Sequence, residues 1–262
     1  MFIKRVVEMR ANNFLKQNKL KRFISRITPS RSLNFRSKQN YKMLVDLLLR
    51  EYKTPKVLVI GGRIFGKGID VLVDNPLMTV LETDIQFGPR AKIICDAHSL
   101  PFDKQSFHAV VIQAVLEHVL EPGHCVDEVY RVLVNRGFVY AETPFMQQVH
   151  GYPYDFARYT YLGHRRLLRK FEEVDSGAVA GPGTALTWAW EYFLQSFSDR
   201  IMLKAVLRRL ARFTGFWFKY FDYFLLAKKG SLDGASANYF LGRKSDEVLS
   251  DRELLAELLR KL

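Results

Sequence analysis

The sequence predicts an open, doubly wound α/β sheet. Three observations lead there. Short apolar runs alternate with helical patterns from Lys56 onward, the first run empties into a glycine cluster, and the second ends on an acid. Strands separated by helices imply crossover units and a parallel sheet, and right-handed crossovers arrange such units as an open sheet covered on both faces.

The elements follow in order. Residues 1–53 read as a basic helical extension. Phe2, Ile3, Val6, Val7, Phe14, Leu20, Phe23, Ile24 and Ile27 recur near helical spacing with Lys and Arg between them. "TPSRS" (28–32) interrupts this pattern, and a second helix is expected over 38–52. Residues 54–182 hold the α/β core. Its strands are expected at 56–60, 79–85, 91–95, 109–113, 137–143 and 171–177, and its helices near 66–73, 124–134 and 163–170. Residues 183–235 are helical and aromatic, an insertion opened by Gly181-Pro182-Gly183. Residues 236–262 supply one more strand, "SANYFLGRK", and a final amphipathic helix with Ser245 or Ser250 as its cap.

Composition narrows the function classes. The 262 residues are 48% hydrophobic and 13% aromatic, enough to bury a core. Two cysteines, Cys95 and Cys125, make a disulfide framework improbable and favour a reducing, cytoplasmic compartment. Neither has a metal-ligand neighbour at close spacing, and no metal is expected. The net charge of +13 is uneven: residues 1–50 carry 13 Lys/Arg against two acids. Such a segment suits an anionic surface. Its apolar stripe favours a bilayer at the inner membrane face, through residues 1–37, over nucleic acid, because the interleaved aromatics of a base-stacking surface are missing. No stretch is long and apolar enough to span a membrane, and the start has no secretory-signal core.

The chemistry-bearing residues cluster after the strands. In "KVLVIGGRIFGKGID" a strand meets Gly61 and Gly62, where backbone can approach a ligand closely. Arg63 interrupts the dinucleotide pattern. Asp84 lies 23 positions past Gly61, suited to accept from ribose hydroxyls; Glu82, on the same face of the strand, is its rival. Asp96 and Ala97 follow the third strand, where a carboxylate and a backbone amide can meet a base.

"VLVIGG", "ETDI", "DAHSLPFDKQSFHAVV", "QAVLEHV" and "EVYRVLVNRGFVYAETP" together resemble the class I S-adenosylmethionine-dependent methyltransferases, with a type 11-like domain, over about Lys56–Gly177. The resemblance implies a Rossmann-like seven-stranded sheet in the order 3-2-1-4-5-7-6 with strand 7 antiparallel. It also implies S-adenosyl-L-methionine as cofactor. Gly61 and Gly62 would hold its methionine part, Asp84 its ribose and Asp96 and Ala97 its adenine, with Gln113 and Ala114 beneath it. The family usually has an acid where Val59 stands and glycines where Arg63 and Phe65 stand, so the contact to the cofactor's amino group must come from elsewhere.

Methyl transfer from a sulfonium is an in-line displacement that relies on alignment, and an oxygen acceptor also needs a base. His118 in "LEHV" is one candidate base. The others, His150 and Asp155, lie in the long segment Thr143–Thr160, where Tyr154, Arg158 and Tyr159 are candidate acceptor contacts. Arg158 pairs either with an acidic acceptor group or with Asp155. This segment, "GHRRLLRKFEEVDSG" and "ASANYFLGRK" resemble methyltransferases of surface-glycan and lipopolysaccharide assembly, which implies a sugar hydroxyl as acceptor. A quinone-like lipid methylated at carbon and a non-catalytic scaffold are the alternatives. Trp188, Trp190 and Trp217 suit a membrane interface, or else their own helical core or a homodimer contact.

Overall fold

The structure is a computed structural model and describes residues 28–64 and 66–261. The amphipathic segment Phe2–Ile27 and Phe65 lie outside the described residues. Seven strands form one sheet in the order β3-β2-β1-β4-β5-β7-β6. They are β1 (Lys56–Ile60), β2 (Thr79–Asp84), β3 (Ile93–Ile94), β4 (Phe107–Gln113), β5 (Leu133–Pro144), β6 (Phe171–Ala180) and β7 (Ala237–Lys244). The β1–β2, β1–β4, β2–β3 and β4–β5 pairs are parallel, and β7 runs antiparallel to both β5 and β6.

Helices cover both faces, which explains why β1 is apolar at consecutive positions. Val57 and Val59 point to one side, with Tyr41, Leu44 and Leu48 of α1 (Arg36–Glu51). Leu58 and Ile60 point to the other, with Val126 and Val129 of α3 (Pro122–Val132). The crossover after β1 is shorter than expected, one turn, α2 (Asp70–Val73). Likewise β3 shrinks to two residues. It is an edge strand whose Ile94 faces solvent, although Lys92 N to Glu82 O and Cys95 N to Asp84 O keep the chain beside β2. The strands β5 and β6 outrun the expected limits because each pairs with β7 along nearly its whole length.

After α4 (Tyr161–Leu167) and β6 the chain leaves the sheet as α5 (Pro182–Gln195), α6 (Ile201–Gly215) and α7 (Asp222–Leu225), then returns as β7. Pro182 opens α5, where a missing N–H is harmless. The Asp222 carboxylate, fully buried, accepts from the backbone N–H of Gly181, Gly183 and Thr184 and so caps α5 from about forty residues downstream. A side chain at either glycine would collide: an added Cβ would lie 2.5 Å from Asp222 Oδ1 at Gly181 and 2.2 Å from Phe218 O at Gly183. The last helix, α8 (Asp251–Lys261), is capped by Ser250, whose hydroxyl accepts from Glu253 N while Glu253 Oε2 accepts from Ser250 N, a reciprocal capping box.

Candidate active site at the carboxyl ends of the strands

The parallel strands end at the same edge, so Gly61 just after β1, Asp84 and Gln113 at the ends of β2 and β4, and Glu142 near the end of β5 converge there. At Gly61 the backbone adopts φ +80°, and an added Cβ would lie 2.4 Å from Val115 Cγ2. Both conditions demand glycine. The loop then descends on β4, since a Cβ at Gly66 would lie 1.9 Å from Gln113 Oε1.

The two acids of β2 have separate partners. Glu82 is buried and accepts from Arg90 Nε at 3.0 Å. Asp84 accepts from Arg63 N at 3.1 Å and from Gln86 N at 2.9 Å, so it braces the glycine loop. The Arg63 guanidinium stands beside it, Nε 3.8 Å from Oδ1, and the aliphatic stem of Arg63 lies across Gly88. The side chain that interrupts the glycine pattern therefore bridges the loops after β1 and β2. Beyond β3, Asp96 Oδ1 accepts from His98 N and meets His98 Nδ1 at 2.6 Å; these bonds hold the carboxyl below its usual range against a smaller opposing effect of burial. Ala97 is buried beside it.

A second polar group lies under α1. Glu142 is buried at the end of β5, where Oε1 accepts from Ser37 Oγ and Tyr140 OH, each at 2.5 Å, and Oε2 from Gln113 Nε2 at 2.8 Å. Tyr41 OH donates to Gln113 Oε1, and Asn40 Nδ2 to Tyr140 OH. Burial lifts the Glu142 carboxyl above its usual range, although the three donors counter it. Burial likewise pushes Tyr41 and Tyr140 well up, helped by the nearby Glu142 charge. Three of the four lone-pair sites on Glu142 are used by these bonds, and one remains on Oε2. Next to Gln113, Ala114 sits at φ +54°, a left-handed conformation that costs a residue with a Cβ about 1–2 kcal/mol. Its N–H is held by Glu142 O.

The third group joins the turn after β4 to the loop after β5. Phe156 N and Ala157 N both donate to Glu117 O. Glu117 is fully buried, and neither carboxylate oxygen accepts a hydrogen bond. His118 Nε2 and His150 Nε2 each stand 3.7 Å from Glu117 Oε1, their rings 5.3 Å apart and perpendicular. His118 Nδ1 is bonded to Tyr154 O, and His150 Nδ1 to Gln148 O. The adjoining Glu117 carboxylate raises the His150 imidazole pKa, against burial, which lowers it. Trp188 of α5 closes one side, its ring 5.9 Å from that of His150.

Three residues expected to act on the acceptor, Asp155, Arg158 and Tyr159, are bonded to other groups of the protein. The five N–H donors of Arg158 are spent on Asp155, Gln147 O, Gln148 O and Ala157 O, so of the two pairings open to it the structure contains the one with Asp155. Burial favours a neutral Asp155, but bonds from Arg158 and His150 N outweigh it and bring the carboxyl down to about 2, too weak a base at neutral pH. Tyr159 is half-buried, its hydroxyl donates to Leu116 O, and burial moves its pKa to about 12. Tyr154 remains exposed at the rim.

Residues 72–141 match the family model described as a methyltransferase domain. The chain carries a class I, S-adenosylmethionine-dependent methyltransferase domain. Its sheet order, with strand 7 antiparallel, is that of the methyltransferase fold. A Galdieria sulphuraria protein described as a sarcosine dimethylglycine methyltransferase shares this fold at 14% identity and TM-score 0.51, over 80% of this chain and 87% of that one. The Burkholderia thailandensis 1,6-didemethyltoxoflavin-N1-methyltransferase, solved with bound 1,6-didemethyltoxoflavin and S-adenosylhomocysteine, is 14% identical over 90% and 87% of the two chains, TM-score 0.48. Haemonchus contortus phosphoethanolamine N-methyltransferase 2 is 14% identical over 79% and 53%, TM-score 0.48. No curated protein sequence matches the chain.

The residues at the strand ends suit the methyltransferase's cofactor: a side-chain-free cradle at Gly61, a carboxylate at Asp84 and a buried acid with a spare acceptor site at Glu142. Sequence reasoning had not singled out Glu142, Ser37, Tyr41 or Glu117. "YAET" and "LEHV" print the two acids, but only the strand register shows that Glu142 stands opposite Gln113.

Proposed function

We propose that the methyltransferase transfers a methyl group to a hydroxyl oxygen of a sugar, on a surface glycan or its lipid-linked precursor. Bound S-adenosylmethionine supplies the methyl group on a sulfonium. Asp84 would take the ribose hydroxyls, with Asp96 and Ala97 at the base and Gln113 and Ala114 beneath. Glu142 would take the cofactor's amino group in place of the acid missing at Val59. Val59, Val111 and Tyr140 are in register across β1, β4 and β5, and Glu142 is one side-chain row further on, facing α1. An acid at Val59 would be buried among Tyr41, Val111 and Tyr140, so the carboxylate is better placed in the hydroxyl-lined row beyond it.

The observation that carries the oxygen acceptor is the imidazole pair, His118 and His150, turned towards Glu117 at the mouth between the β4 and β5 loops. An alcohol must lose its proton as it is methylated, and His150, its pKa raised by Glu117, is the better placed base. Tyr154 and Trp188 would form the walls. Asp155 and Arg158 act through the loop, by fixing the His150 backbone.

The lipid-linked form of the acceptor is supported by the helical insertion. Phe197, in the turn before α6, and Ile201 and Met202 on α6 are 70%, 86% and 85% exposed, and Arg208 and Arg209 are exposed further along α6. Apolar side chains rimmed by cations suit an anionic bilayer surface. Of the tryptophans, Trp188 is instead buried under the Arg31 guanidinium. Among the described residues no helix is long and apolar enough to cross a membrane. The test is transfer of labelled methyl to lipid-linked glycans and to quinone-like lipids, with product analysis. A methyl ether on sugar supports the proposal; a methyl on ring carbon overturns it.

A further inference from the structure

We propose that Glu117, His118 and His150 bind a divalent first-row transition metal ion, contrary to the expectation of no metal. Four observations combine. First, one ligand atom from each of the three side chains lies within 4.8 Å of the other two. Second, Glu117 is fully buried, yet neither of its oxygens accepts a hydrogen bond. A buried carboxylate left so is costly, and a cation is the partner that removes the cost. Third, each imidazole is fixed through Nδ1 by a backbone carbonyl, Tyr154 O for His118 and Gln148 O for His150. With the Nδ1 hydrogen donated there, the lone pair is on Nε2, the atom facing Glu117. Outer-shell anchoring of this kind sets the tautomer of metal-bound histidines. Fourth, the spacing is close to a coordination sphere. Metal bonds of about 2.0–2.2 Å at tetrahedral angles hold N and O ligands about 3.4 Å apart. Both Nε2–Oε1 distances are 3.7 Å, a few tenths of an ångström wider.

Two imidazoles and one carboxylate select zinc, iron, cobalt or nickel over magnesium and calcium, which prefer all-oxygen sites. Three protein ligands leave a coordination position open on the exposed side of the imidazoles. A hydroxyl oxygen bound there would become more acidic and give its proton to water, so with the ion bound His150 is a ligand and the ion replaces it as the means of activating the acceptor. This deepens the reading of the acceptor face and rests on it only for the ion's role; binding itself is tested without any acceptor.

The experiment is titration of the metal-depleted full-length protein with Co2+, read by visible absorbance, and with Zn2+, read by calorimetry and by thermal unfolding. Stoichiometric binding is expected, with the ligand-field bands of a nitrogen- and oxygen-bound Co2+ and a rise in Tm that tracks ligand concentration. Glu117→Gln and His150→Asn should each weaken binding by about a hundredfold or more. His124→Asn, at an exposed histidine paired with Glu121, should bind as the parent does. Because Glu117→Gln can lose its fold, His118→Asn, at a partly exposed ring, is a third ligand variant and should show the same loss. Absence of binding by the folded parent, or binding that survives all three ligand substitutions, overturns the proposal. A metal-binding protein that fails to methylate sugars would leave this inference standing and remove only the acceptor reading.

Discussion

Glu142→Gln isolates the carboxylate proposed to replace the one missing from β1. The substitution keeps the shape and the Oε1 acceptor, and a flip of the Gln113 amide can relieve the donor clash at Oε2. What it removes is the charge. A hydrogen bond to a charged group contributes about 1.5–3 kcal/mol, so S-adenosylhomocysteine should bind about tenfold to a hundredfold more weakly. Methylthioadenosine, which has the same nucleoside but no amino-acid part, should bind as before. Calorimetry with both ligands separates a lost ammonium contact from a damaged loop. The pH dependence has a definite sign. Burial raises the Glu142 carboxyl, so the free protein holds its proton to a higher pH than an ordinary glutamate. An ammonium favours the ionised form and expels that proton, so affinity for S-adenosylhomocysteine should rise with pH through this window and level off above it. In Glu142→Gln this slope should vanish. Equal weakening of both ligands, or no weakening of either, would refute the reasoning.

Asp84→Asn should weaken both ligands alike, by about tenfold or more, since both carry the ribose; calorimetry that shows a loss for one ligand only would contradict its assigned place. Asp155→Asn tests the loop. The Asp155 carboxyl falls from 3.8 to about 2. A depressed acid stabilises the fold above its unfolded pKa and loses that contribution as pH falls through its folded one. A shift of this size corresponds to about 2 kcal/mol, reduced to about 1 by solvent screening. Urea unfolding should show that deficit in the variant near neutral pH, shrinking between about pH 4 and 2. Gly61→Ala must adopt φ +80° with its Cβ 2.4 Å from Val115 Cγ2, and should lower stability by about 1–3 kcal/mol in the same assay.

The parts legible in the sequence are those written locally. A strand such as β1 shows as an apolar run, Gly61 as the residue that follows it, and Asp84 as an acid at the end of the next run. The parts that escaped depend on register and on the folded path of a loop. Glu142 looks like any acid in "YAET" until β5 is laid beside β4 and Gln113 stands opposite it. Arg158 looks available for an acceptor until the loop curls back and spends all five donors on its own neighbours. Glu117, next to His118 in the chain, meets His150 only because Phe156 and Ala157 tie the two loops together. The short β3 has the simplest cause: at a sheet edge little burial is gained by extending it.

The Asp222 cap on α5 has an evolutionary meaning. By reaching back to Gly181, Gly183 and Thr184, it brings the exit of the excursion next to its entrance. What lies between is a cassette with a closed base. Residues on the outward side of α6 can be exchanged, lengthened or recharged without disturbing β6 and β7, while Trp188, on the inward side, keeps its place beside His150. Selection can therefore alter the outer surface of the insertion separately from the site beneath it.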